Sequence, residues 1–210
     1  MKRTRFLAKK IIHCPDLIQS ELLFSMIVKI KDKNIHTMKN WLYFLISLML
    51  YMLIHEGHHA YIALLFNEYD AINIHWYGPE VLFVTPVAER TSEIKWFLIS
   101  GISNLITLSI GYLLFIMKEK IINIKVSSLR SILYYVTIIF LLFDALNLSI
   151  GPFFYGGDIN GISAGLKIKP WIIQIFFGTI LLVNRELIVK FMMHFGIKSN
   201  NILFKPWYRE

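Results

Sequence analysis

Apolar positions run along the chain in four long stretches divided by short polar segments. The first three, Trp41 to Phe66, Trp96 to Met117 and Leu129 to about Tyr155, are each long enough to cross a hydrocarbon core of ~30 Å as a helix. The fourth, Trp171 to Val183, stops at Asn184, Arg185 and Glu186 and reads as a short, re-entrant or tilted span. Between the first two, Ala71 to Val87 alternates apolar and polar residues around Tyr77-Gly78-Pro79-Glu80, which predicts a short hairpin or edge strand. Its open edge could accept an extended peptide by backbone pairing; the plainer alternative is an interfacial loop anchored by Trp76 and Tyr77. The third stretch ends in GPFFYGGDING, where Pro152 and the glycines must break the helix. The predicted fold class is all-α: a polytopic membrane helical bundle of about four spans, with a short β-hairpin or strand between the first two.

Residues 1–40 are basic and mixed, and their apolar part is too interrupted for a span, so an amphipathic surface helix or a basic extension is expected there. Met38, followed by KNWLYFLISL, offers a second plausible start for a membrane protein. Residues 41–195 form the membrane-embedded core and 196–210 a C-terminal tail. With 56% hydrophobic residues, 17% charged residues and a mean hydropathy of +0.55, the chain is too apolar for an ordinary soluble domain. An integral, multi-pass protein of the bacterial cell membrane, in contact with the lipid bilayer, is expected. The net charge of +8 sits in clusters beside the apolar runs, where it serves orientation and headgroup contact rather than nucleic acid. The single cysteine, Cys14, excludes an intramolecular disulfide.

One stretch breaks the apolar pattern with chemistry. LIHEGHHAYI, Leu53 to Ile62, places His55 and His59 four residues apart, on one helical face and about 6 Å apart along the axis. This is the H-E-x-x-H arrangement of zinc hydrolases: two imidazoles hold Zn2+, an open position holds a water of lowered pKa, and Glu56 takes the proton of that water. Ionisable groups at membrane depth are costly, which argues for function. A third protein ligand is needed. Helices one and three run in the same direction, so Asp158, just past the end of the third, can reach the depth of the histidine pair. Asp144 is the rival, expected to lie far above that depth if its helix is straight.

These residues resemble the site-2 protease family of intramembrane zinc metalloproteases in a minimal form. HEGHH resembles the family's H-E-x-x-H. SGISN resembles G-P-x-x-N, with Gly101 and Asn104 matching and Ile102 in place of the proline. NLSIGPFFYGGDING resembles N-x-x-P-x-x-x-x-D-G, with Asn147, Pro152 and Asp158 matching, a longer Asn-to-Pro spacing and Ile159 after the aspartate. The resemblance implies a three-helix core that unwinds and cleaves a membrane-anchored protein or peptide precursor. It assigns His55, His59 and Asp158 to the metal, Glu56 to catalysis, and Asn104 and Asn147 to the substrate backbone or oxyanion; packing hydrogen bonds are the alternative for the two asparagines. The loop of residues 67–95 is well short of the ~50 residues an inserted peptide-binding domain would need.

His55, His58 and His59 also spell the H-x-x-H-H box of di-iron membrane desaturases, but the other histidines are scattered singly and too few to fill two coordination spheres. A non-catalytic metal-binding, immunity or transport component is the alternative from another class. On orientation the expectations divide. The basic residues before the first span, at Lys118, Lys120, Lys125 and Arg130, and near the C-terminus place those regions in the cytoplasm and turn the histidine end of helix one outward. The resemblance implies a site nearer the cytoplasm.

Overall fold

The computed structural model describes residues 15–75, 78–199 and 201–207; Trp76, Tyr77, Cys14 and the first part of the basic extension lie outside the described residues. The chain divides into two units, Met1–Leu42 and Tyr43–Glu210. Within the first, the described backbone is helical from Pro15 onward, so residues 15–40 of the predicted extension are helix. The elements in order are α1 (Pro15–Leu65), β1 (Tyr69–His75), β2 (Gly78–Phe83), α2 (Ile94–Ile116), α3 (Lys118–Ile122), α4 (Ser127–Ser149), α5 (Asp158–Leu166) and α6 (Pro170–His194), with short 3-10 turns at Val87–Glu89, Gly151–Phe153 and Ile202–Phe204. Four helical segments among the described residues, Thr37–Leu65, Ile94–Ile116, Ser127–Phe153 and Pro170–His194, are long and apolar enough to cross a membrane. The chain thus has the make-up of a multi-pass membrane protein, all-α apart from one hairpin.

The fourth span differs from its expected extent. Asn184, Arg185 and Glu186 do not end it: α6 is one helix from Pro170 to His194. Asn184 is fully buried, donates to the Leu141 carbonyl at 2.6 Å and accepts from the Tyr112 hydroxyl at 2.7 Å, so its amide is satisfied between helices. Arg185 caps the C-terminal turn, donating to the carbonyls of Ile202, Leu203 and Lys205, and pairs with Glu186 at 2.8 Å. Polar residues whose partners are distant in sequence but close in space are compatible with a continuous helix.

Each helix turns a narrow stripe inward. On α1 the buried positions of the second unit are Ser47, Tyr51, His55, His59, Ile62 and Ala63, spaced by three and four, while Leu45, Met49, Leu53, Tyr61 and Leu64 face outward. On α2 the buried positions are mostly small or polar, Ser100, Gly101, Ser103, Asn104, Thr107 and Gly111, with Trp96, Ile99 and Leu108 beside them. Small residues let backbones approach closely, and a Cβ at Gly111 would meet the Phe140–Leu141 backbone at 3.0 Å. Gly161 and Gly165 do the same for α5, since a Cβ at either would overlap Ser100 Oγ or the Phe97 backbone nitrogen of α2. That contact seats α5, and with it Asp158, against α2. An apolar cluster of Leu108, Leu148, Ile159, Ile162, Ile173 and Phe177 joins α2, α4, α5 and α6 behind it.

The predicted hairpin is present. β1 and β2 pair antiparallel from His75↔Gly78 to Tyr69↔Phe83, with an irregularity between Tyr69 and Ala71. It is held at its base by Glu68, buried, which accepts from Lys95 Nζ at 2.9 Å and from the Thr85 amide at 3.2 Å. Burial alone pushes the Glu68 carboxyl up, but the Lys95 and Thr85 contacts outweigh it and hold it below its usual range. Arg90 lies over the rings of Trp96 and Phe83 at 4.4 and 5.1 Å and adds a cation–π clamp.

Candidate metal centre

The spacing of four on α1 carries His55 and His59 onto the inward stripe and leaves His58 off it. His58 Nδ1 lies 2.6 Å from the Ile54 carbonyl of its own helix, the contact of a packed polar side chain. His55 and His59 are 5% and 3% exposed, and their Nε2 atoms lie 3.1 Å apart.

The third member arrives through the broken segment. After α4 the chain makes the Gly151–Phe153 turn and reaches Gly157 at φ 54°, ψ −149°, a conformation essentially restricted to glycine. Asp158 is then the first residue of α5, where the helix N-terminus favours a carboxylate. Its Oδ2 lies 3.3 Å from His55 Nε2 and its Oδ1 3.2 Å from His59 Nε2.

His59 Nδ1 is 2.7 Å from the Ile99 carbonyl, which can only accept, so Nδ1 carries a proton and Nε2 is the nitrogen that the neutral ring offers to a metal. His55 Nδ1 lies 3.3 Å from Asp144 Oδ1 and 3.5 Å from the Tyr51 hydroxyl, with its Nε2 turned to the same spot as that of His59. With both rings neutral, two lone pairs and a carboxylate point at one spot, an arrangement that a shared cation would balance. Donors held at ~2.0–2.1 Å around tetrahedral zinc are ~3.3 Å from each other, and the His55 Nε2–His59 Nε2 and His59 Nε2–Asp158 Oδ1 separations are 3.1 and 3.2 Å. The donor set fits the ion. His55, His59 and Asp158 are also the one group among the described residues whose side chains converge in this way.

No protein-family model, curated protein or solved structure matches the chain.

Asp144 is not where a straight-helix extrapolation from Asp158 put it. It lies at the level of the histidine pair: its Oδ1 is 2.7 Å from the Tyr51 hydroxyl and 3.3 Å from His55 Nδ1. The turn and glycines between residues 150 and 157 fold the chain back, so sequence distance between the two aspartates does not translate into helical rise. Asp158 faces Nε2 of His55 and Asp144 faces Nδ1 of the same ring.

Asn104 and Asn147 both turn their amide nitrogens to Asp158 Oδ2, at 3.0 and 3.1 Å. Asn104 Nδ2 also donates to the Ser100 carbonyl at 2.7 Å, which engages both of its hydrogens. Asn147 Oδ1 accepts from the Tyr155 hydroxyl at 2.9 Å. With Oδ2 so occupied, Oδ1 of Asp158 is the oxygen available to a metal.

Glu56, one position after His55, lines the same cavity, a space of about 1240 Å³ bounded by α1, β2, the end of α4 and the 150–157 segment. The Val81 amide donates to Glu56 Oε2 at 3.2 Å. That amide points away from β1, so the unpaired edge of β2 faces the cavity. Phe153 and Phe154, 78% and 81% exposed, stand beyond the end of α4.

Proposed function

We propose that the chain is an intramembrane zinc metalloprotease, similar to the site-2 protease family in a minimal form, that hydrolyses a peptide bond in a membrane-anchored protein or peptide precursor. The observation that carries this reading is the convergence of His55 Nε2, His59 Nε2 and Asp158 on one point beside Glu56, at the wall of a cavity lined by a strand edge. Zinc held there supplies Lewis acidity to a water and to the peptide carbonyl. Glu56 takes the proton of the water and passes it to the leaving nitrogen. The edge of β2 can hold an unwound substrate segment by backbone pairing, which sets the scissile bond beside Glu56. Asn104 and Asn147 support the carboxylate of Asp158, and Asn147, tied to Tyr155, is the one placed at the cavity wall for a substrate contact.

The direct test is the zinc content of the purified full chain. About one equivalent per chain, lost on chelation and restored by Zn2+ alone, is expected, and a chain that binds no zinc at micromolar free metal contradicts the proposal.

By the positive-inside rule the basic clusters favour the outer face for the hairpin and the site, against the cytoplasmic side that the family resemblance implies. In a Cys14→Ser background, Glu80→Cys is expected to react with a membrane-impermeant maleimide added to intact cells. Labelling only after the membrane is opened would put the site on the cytoplasmic side, as the family resemblance implies.

A further inference from the structure

A second carboxylate lies behind the metal ligands, in the apolar body of α4. Asp144 is fully buried. Its Oδ1 accepts from the Tyr51 hydroxyl at 2.7 Å and faces His55 Nδ1 at 3.3 Å, and its Oδ2 accepts from the Thr107 hydroxyl at 2.6 Å. Among the described residues the basic side chain that faces it is His55, with no lysine or arginine. Tyr51 sits one turn before His55 on the same stripe, its ring 5.3 Å from the imidazole and stacked at 26°, and is packed edge-on by Phe140 and Phe143. All three groups that face Asp144 can donate to it.

An isolated charge at that depth is costly unless an opposite charge shares the cost. Two hydroxyls satisfy its lone pairs but do not neutralise it. The missing positive charge has one direction from which to come, through the His55 ring.

We propose that Asp144 is the positioning residue for His55 and the charge-balancing partner of the metal centre. It holds the His55 ring in the tautomer that presents Nε2, and it strengthens that nitrogen as a donor. With both imidazoles neutral, the charge of a dication is matched by Asp158 and Asp144 together, which leaves the charge of Glu56 for proton transfer. Tyr51 and Thr107 fix the carboxylate from either side. The inference rests on the zinc reading above and adds to it a residue outside the ligand set.

The test uses the full chain in detergent micelles, with Zn2+ affinity measured by chelator competition and the visible absorption of the Co2+-loaded protein as a report on ligand geometry. Asp144→Asn is expected to lower Zn2+ affinity about 10–100-fold and to shift the Co2+ bands, with helical content unchanged. Tyr51→Phe combined with Thr107→Val, which leaves the carboxylate in place but unfixed, is expected to move both readouts in the same direction by less. If Asp144→Asn does not fold, that double variant decides. Affinity within about threefold of wild type together with an unchanged Co2+ spectrum, in whichever of these variants folds, overturns the role of Asp144 while leaving the metal centre standing. A wild-type chain that binds neither Zn2+ nor Co2+ overturns the metal centre itself.

Discussion

Glu56→Gln is expected to leave the zinc content at about one per chain and to lower turnover by about 10²–10⁴-fold. Glu56 is not among the three converging ligands, so its charge can be removed without opening the coordination set. The amide oxygen of glutamine can still accept from Val81, so β2 keeps its anchor and the cavity its shape. What the variant loses is the base: an amide takes no proton from water at neutral pH. Zinc analysis and cleavage assays on the same preparation separate the two effects. A variant that loses zinc would make Glu56 a ligand, and one with undiminished turnover would remove it from catalysis.

His59→Ala is expected to lose metal and turnover together, whereas His58→Ala is expected to keep both. The contrast is large because the histidines differ in where the helix points them. His59 is 3% exposed, with Nε2 between His55 and Asp158, and its removal leaves a ligand set of two for an ion that needs three protein donors in a catalytic site. His58 bonds its own helix backbone and meets neither partner. Zinc content measured across the two variants checks this. Equal loss in both would mean that the stripe on α1 has been assigned to the wrong face.

How much of this could be seen in the sequence follows from the kind of signal each part carries. The inward stripe of α1 was legible because a spacing of four is a local property, and HExxH announces it. The hairpin was legible from alternation around Gly78-Pro79. The full length of α6 was hidden, because Asn184 and Arg185 look like a helix end until their partners, the Leu141 carbonyl and the C-terminal carbonyls, are known. Those contacts are separated by many residues and leave no local mark.

The depth of Asp144 was misjudged for a related reason. Counting rise along a straight helix is sound up to Ile150, but the 3-10 turn and Gly157 then reverse the path, and the chain returns Asp158 to the level it had already passed. Sequence reasoning therefore treated the two aspartates as rivals for one place. They occupy opposite sides of one imidazole. The asparagines were singled out by motif, but their direction toward Asp158 Oδ2 depends on how α5 packs on α2, which Gly161 and Gly165 permit and a motif cannot convey.

The central claim is that this metal centre cuts peptide bonds in membrane-anchored chains, and the most direct measurement compares membrane peptides from cells that express the wild type with those from cells that express Glu56→Gln. Mass spectrometry is expected to find truncated membrane segments with the wild type alone, and the corresponding uncut segment co-purifying with Glu56→Gln. Identical peptide populations from the two, with zinc bound to both proteins, would contradict the claim and leave a metal-binding membrane protein without protease activity.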